Sequence, residues 1–335
     1  MKQQKDRDYL DLEQELLNDI DRLHLKIRDI IYVNRNKKRY TLIVENCGTT
    51  NILKWNSKKS EYHSEQLKKE IDFYRKSENL NFLPPIIYSE ENLILLKYIS
   101  GKTVRAWIID YRKEHDRKSC NEIIHNDFKL IINNIIGIFR ELYTRPDGVA
   151  DADDTILSLK NIFYVLYLSV PMSMPKSNLE KLILKVNLKL HHKIISQRFN
   201  ELNKRIKEER DGLCNYAIHS DLHLNNLLVS NQDLNIRMID WENISVGSIL
   251  LDINYFYAFL FFLLEGLPLH QEYLKEAFEN YLNEHDPHLK KLFFGINELF
   301  LVAISLNRSF SYDLSFIGFI KKLWGFHFKI KNIKI

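Results

Sequence analysis

The stretch Tyr216–Asn243, YAIHSDLHLNNLLVSNQDLNIRMIDWEN, decides the reading of this chain. It opens on a polar cluster: His219, then Asp221 two positions on, then Asn226 five positions after that. Leu227, Leu228 and Val229 suit a short strand, Asn231, Gln232 and Asp233 a polar turn, and Ile236, Met238 and Ile239 a returning strand. A hairpin of this kind brings Asp240 back to the place the chain left at Asp221. The Asn226 amide oxygen and the Asp240 carboxylate are hard oxygen ligands of the kind magnesium takes.

The spacing H-x-D-x-x-x-x-N is that of the catalytic loop of kinase-type phosphotransferases. Phosphoryl transfer to a hydroxyl needs a carboxylate beside the acceptor proton and ligands for the metal that bridges the nucleotide phosphates. Asp221 suits the first role, and Asn226 and Asp240 suit the second. HSDLHLNNLL followed by IDWEN resembles the aminoglycoside phosphotransferase and choline kinase group, small-molecule kinases that share the protein-kinase fold. The loop of that group reads H-G-D-x-H-x-x-N, and its metal motif is often I-D-W-E. His223 matches the second His, Ser220 replaces the usual Gly, and Asn225 stands where a Gly is common. The resemblance implies that His219 supports the loop and that Asp252 starts a helix and braces the same loop, with Gly247 in the connection.

Length and composition agree with such a protein. The 335 residues can hold two lobes, and 45% hydrophobic with 27% charged residues is ordinary for a globular chain. A formal charge of +4 gives no reason to expect a nucleic-acid partner. Cys47, Cys120 and Cys214 are widely spaced with no C-x-x-C, which suits a reducing compartment and neither a disulfide framework nor a zinc site. The opening MKQQKDRDYLDLEQELL is charged and has no apolar core, so no signal peptide is visible and a cytoplasmic location is expected.

Upstream, residues from about 8 to 24 carry helical periodicity and would pack on the first lobe. Three β-rich runs follow, Ile27–Val33, Tyr40–Val44 and Asn51–Trp55, with a turn at Cys47–Thr50. A lysine on the third strand is the kinase order. Lys54 would contact the α- and β-phosphates, and Glu70, in LKKEIDFYRK, would hold Lys54 from the following helix. Lys58, Lys59 and Glu65 are nearby competitors for these roles. NLILLKYI, ending at Ile99, is placed as the hinge strand, where the backbone of Leu96 to Tyr98 would bond the nucleotide base. The first turn departs from the pattern. Asn34 to Arg39 holds no glycine, so either its Lys and Arg side chains neutralise phosphate directly or it is a basic hairpin tip without function.

Downstream, Thr103 to about Arg210 reads as mostly helical, with Ile131–Tyr143 as a long core helix and breaks at Thr144–Asp154 and Pro171–Pro175. An apolar run from Ser248 to Leu269 holds Asp252 and Asn254, so it reads as a buried helix and not as a membrane span. Further helices are expected at about 271–283, 287–306 and 313–328. Beyond Pro287 the only acids are Glu298 and Asp313, against eight Lys and Arg residues. A basic end favours a neutral or anionic acceptor over a polycation, or else a peripheral contact with an acidic membrane surface.

The expected fold is α+β and protein-kinase-like. It has a small antiparallel β-rich lobe with the amino-terminal helix, over 1–98, and a larger helical catalytic and acceptor-binding lobe, over 99–335. The expected activity is ATP-dependent phosphorylation of a hydroxyl on a small molecule such as a sugar, an amino alcohol, a glycan precursor or an aminoglycoside-like antibiotic. Magnesium is the metal and GTP the alternative nucleotide. The competing readings are an impaired pseudokinase that only binds, and a nucleotidyl transferase that attaches AMP.

Overall fold

Asn46, Cys47, Gly48 and Thr49 make the tight turn of the amino-terminal sheet. Cys47 (φ 49°) and Gly48 (φ 77°) are both left-handed, the two-residue pattern whose twist matches a β-hairpin. It joins β2 (Arg39–Asn46) to β3 (Thr49–Asn56) in unbroken register, from Asn46 opposite Thr49 to Arg39 opposite Asn56. The computed structural model describes residues 12–34, 38–57, 61–144, 148–149, 155, 157–161, 177–208, 214–285 and 287–309. Residues 8–11 of the helix expected over about 8–24, the helix expected at 313–328, residues 35–37 of the first turn, Lys58 and Lys59, most of the break at 144–154 and the break at 171–175 fall outside them. The chain divides into two compact units, Met1–Lys102 with Leu227–Ile244, and Thr103–Asn226 with Ser245–Ile335.

The first unit is built on a five-stranded antiparallel sheet. Its order is β1 (Lys26–Asn34), β2, β3, β5 (Leu93–Lys97), β4 (Ile86–Glu90). Alternation along β2 buries Tyr40, Leu42 and Val44. Against that face lies α1 (Gln14–Arg22), whose buried Leu16 and Ile20 join Leu53, Trp55, Leu93 and Leu95 in one core. Each such side chain, fully buried, is worth about 1.5–3 kcal/mol. The indole N–H of Trp55 donates to Asp19 at 2.8 Å, so the helix is fixed by a polar contact as well as by packing. On the other side of β3 in sequence comes α2 (Glu61–Lys76). The same unit holds the hairpin of β9 (Leu227–Ser230) and β10 (Ile236–Met238), which continues into β6 (Gly101–Thr103). Gly101 is obligatory there, since a Cβ would lie 2.2 Å from the Val229 carbonyl oxygen.

The second unit is mainly helical. It contains α3 (Val104–Glu114), α4 (Arg117–Glu122), α5 (Asn126–Leu142), α6 (Asn178–Glu208), α7 (Ile249–Leu263), α8 (Pro268–His285) and α9 (Pro287–Ser309). A small sheet of β7 (Gly148–Val149), β8 (Cys214–Ile218) and β11 (Ser245–Gly247) completes it. Helix α5 turns its isoleucines and Phe139 inward. Helix α7 is the apolar run, and its first turns are buried on nearly every face, as expected of a central helix. Phe139, Phe256, Tyr257, Phe278 and Phe293 meet edge-on or stacked around it. Among the described residues, no helix is long and apolar enough to cross a membrane.

Candidate active site

In the first unit, β3, α2 and the end of β10 converge on one ion-pair cluster. Lys54 lies in the middle of β3, paired with Ile94 and Thr41 across its two neighbours, so its backbone is fixed on both sides. Its Nζ contacts Glu70 Oε1 at 2.7 Å and Asp240 Oδ1 at 2.7 Å. Glu70 is 1% exposed and comes from the buried face of α2. Burial acts against the Lys54 ammonium, but the two carboxylates outweigh it and its pKa lies above the ordinary value. Asp240 directly follows Ile239 after β10 in the left-handed conformation, with φ 67° and ψ 54°. Asp accepts that conformation at a cost, and such strain gathers where a side chain must be aimed.

The residue after Asp240 locks the motif to α2. The Trp241 backbone N–H donates to the same Glu70 Oε1 at 3.1 Å, and the Trp241 ring stacks on Phe73 at 4.1 Å between centroids. Its indole N–H reaches back to the Met238 carbonyl at 3.4 Å. Glu242 in turn pairs with Arg39 at the start of β2. Sequence reasoning named neither Trp241 nor Phe73 as positioning residues, and it treated Arg39 only as one residue of a basic turn. The tryptophan was visible in IDWEN, but its partner on α2 was not.

Leu96 and Tyr98 differ. Leu96 is inside the sheet, opposite Ile52 on one side and Ile86 on the other, and is buried. Tyr98 is beyond the end of β5 and 37% exposed.

In the second unit the residues expected to form the catalytic loop follow β8. Ser220 occupies the usual glycine position with φ 65°. Left-handed backbone costs a residue with a Cβ about 1–2 kcal/mol, which explains the preference for glycine there. Two contacts offset the cost. The Ser220 N–H donates to Asp252 Oδ1 at 2.9 Å, and its hydroxyl meets that of Ser245 at 2.6 Å. The Asp252 Oδ2 accepts from the His219 N–H at 2.6 Å and from the Tyr143 hydroxyl at 2.8 Å. Asp252 therefore holds both peptide groups that precede Asp221, from the first turn of α7. Burial pushes its carboxyl up from the ordinary value, although His219, Tyr143 and Ser220 all favour the charged form. Tyr143 ends α5 and carried no signal in the sequence.

Asn226 closes the loop. Its Nδ2 donates to the Asp221 carbonyl at 2.9 Å, which fixes the amide so that Oδ1 is its acceptor end. Asp221 lies near Tyr255 of α7, whose phenol is pushed up to about 12 by burial first and by the Asp221 charge second.

These elements define a class, the protein-kinase-like fold. Residues 150–294 match the model of the ecdysteroid kinase-like family. Among solved structures, the gentamicin complex of APH(2")-IIa is 13% identical, over 97% of this chain and 97% of that one, with a TM-score of 0.50. The choline kinase LicA from Streptococcus pneumoniae is 14% identical, over 95% and 98%, with a TM-score of 0.47. An ethanolamine kinase from Plasmodium vivax is 15% identical, over 93% and 85%, with a TM-score of 0.43. No curated protein sequence matches the chain. The resemblance read from HSDLHLNNLL and IDWEN is borne out at the level of fold, as is the α+β class.

Proposed function

We propose that the protein transfers the terminal phosphoryl group of ATP to a hydroxyl of a small molecule, with magnesium. The observation that carries this reading is Lys54 held between Glu70 and Asp240, each at 2.7 Å. A buried lysine fixed by a helix carboxylate and by the carboxylate of the metal motif is what phosphate positioning requires. In this reading Lys54 places the phosphates and Glu70 orients Lys54. Asp221 takes the acceptor proton, with its loop held by His219 and Asp252. Tyr98, past the end of its strand, is better placed than Leu96 to offer backbone groups to the base.

The donor set fits magnesium. Asn226 and Asp240 offer one hard oxygen group each, and among the described residues no cluster of three or more His, Cys, Asp or Glu forms an all-protein cage. Magnesium needs none, because it keeps waters and shares phosphate oxygens. Held by Asn226 and Asp240, it would neutralise the charge that develops on the phosphate oxygens.

The acceptor belongs to the class of small hydroxyl compounds; the basic composition beyond Pro287 favours a neutral or anionic one, in a cytoplasmic setting. The test is magnesium-dependent ATP consumption by the full chain against a panel of sugars, amino alcohols and aminoglycosides. Acceptor-stimulated ADP release that disappears in Asp221→Ala supports the reading. An Asp221→Ala protein as active as the parent would end it.

A further inference from the structure

We propose that Arg39 is a phosphate-binding residue of the nucleotide site, held by Glu242 until nucleotide arrives. This rests on the kinase reading above and adds a residue to it. Arg39 opens β2, opposite Asn34 on one side and Asn56 on the other, so its backbone is fixed in the sheet. Its side chain is only 18% exposed, low for an arginine at the end of a hairpin. The guanidinium pairs with Glu242, lies 3.8 Å from Asp240 Oδ1, and sits over the Tyr32 ring at 5.7 Å. Lys54 contacts that same Asp240 oxygen at 2.7 Å. Two cations from adjacent strands therefore converge on the carboxylate of the metal motif.

The charge balance of this cluster gives the direction of the exchange. Arg39 and Lys54 face Glu70, Asp240 and Glu242, so the set has one negative charge in excess. A divalent cation at Asp240 would reverse that excess and repel Arg39 from its present partner. The phosphate oxygens that accompany the metal supply the replacement. A guanidinium fork matches phosphate in a way an ammonium does not. The turn before Arg39 has no glycine to bring backbone amides close to phosphate, so a side-chain donor takes over that task. Glu242 is then a competitor for Arg39, and Arg39 and Glu242 have opposite effects on nucleotide binding.

That opposition separates the proposal from a structural role. If the pair only braced the metal motif, losing either partner would weaken nucleotide binding. The experiment measures binding of ATP and of adenosine to the full chain, first without metal and then with magnesium. It uses the parent protein, Arg39→Gln, Arg39→Lys and Glu242→Gln, each checked for folding by thermal unfolding. The expected results are a loss of about 10-fold or more in ATP affinity for Arg39→Gln with and without magnesium, and adenosine affinity unchanged. Arg39→Lys falls between. Without metal, Glu242→Gln binds ATP several-fold more tightly than the parent. Unchanged ATP affinity in Arg39→Gln, or the same direction of change in Arg39→Gln and Glu242→Gln, overturns the proposal while leaving the kinase reading in place. A parent protein that binds ATP under neither condition overturns both.

Discussion

The backbone N–H of Trp241 donates to Glu70 Oε1 at 3.1 Å, the same oxygen that receives Lys54 Nζ. One carboxylate on α2 thus fixes both the lysine of β3 and the peptide that follows Asp240. The positions of α2, of Lys54 and of the Asp240–Trp241 peptide are a single arrangement in this unit.

Removing either member of the buried pair has unequal consequences. Lys54→Met leaves Glu70, at 1% exposure, with a charge and only the Trp241 N–H. Loss of a partner from a buried pair costs about 3–5 kcal/mol. Glu70→Gln leaves Lys54 its contact with Asp240 and is milder for stability, while the lysine loses its orienting partner. We expect urea unfolding to show the larger loss for Lys54→Met, and Glu70→Gln to lower kcat/KM about 10- to 100-fold.

Tyr143→Phe tests the brace behind the catalytic loop. It removes one donor from the buried Asp252 carboxylate and keeps the ring packing of α5. Asp252 keeps its two backbone donors, so the cost is that of one hydrogen bond to a charged group, about 1.5–3 kcal/mol. The expected kinetic signature is a lower kcat with ATP affinity unchanged, because Tyr143 acts on the loop through Asp252. An equal loss in ATP affinity would mean that the brace acts elsewhere.

Ser220 offers a backbone test. Ser220→Gly relieves the left-handed φ of 65° and loses the 2.6 Å contact to Ser245, so stability should stay within about 1 kcal/mol of the parent. Ser220→Val keeps the strain, adds β-branching and should lose about 2 kcal/mol or more. Thermal unfolding of the two variants measures the difference.

His270 gives a pH dependence. It is fully buried, and its Nε2 meets the Tyr111 hydroxyl at 2.9 Å. Burial pushes its pKa down to about 4, and His125, Arg112 and His115 add repulsion. The unfolded chain takes the proton near pH 6.5. Between these values the unfolded state binds more protons, so stability falls as pH drops from about 6.5 to about 4. His270→Gln keeps a hydrogen-bonding partner for Tyr111 and cannot take the proton. Urea unfolding across that window should flatten by roughly 1–3 kcal/mol in this variant.

The order of loop, hairpin and Asp240 from His219 onward was legible because its spacing resembles that of the kinase-like fold. Strands β1 to β3 were legible as β-rich runs separated by turn residues, and α7 from its apolar run. Tyr143, Phe73 and the partner of Arg39 were not. Each reaches its contact across a long stretch of chain, as Tyr143 does to Asp252, 109 positions away. Such a contact leaves no periodic mark, since it depends on where two elements pack. The left-handed Ser220 was half legible: the expected glycine marked the strain, and the serine showed only that something nearby must offset it.

The central claim is tested most directly by following labelled phosphate. ATP labelled in its terminal phosphoryl group is incubated with magnesium, the full chain and the acceptor panel, beside Asp221→Ala and Asp240→Ala. The account predicts label on an acceptor with release of ADP, and neither product with the two variants. Label released as pyrophosphate with AMP on the acceptor would contradict it and establish nucleotidyl transfer, and ATP bound but left intact with every acceptor would contradict it in favour of a binding protein.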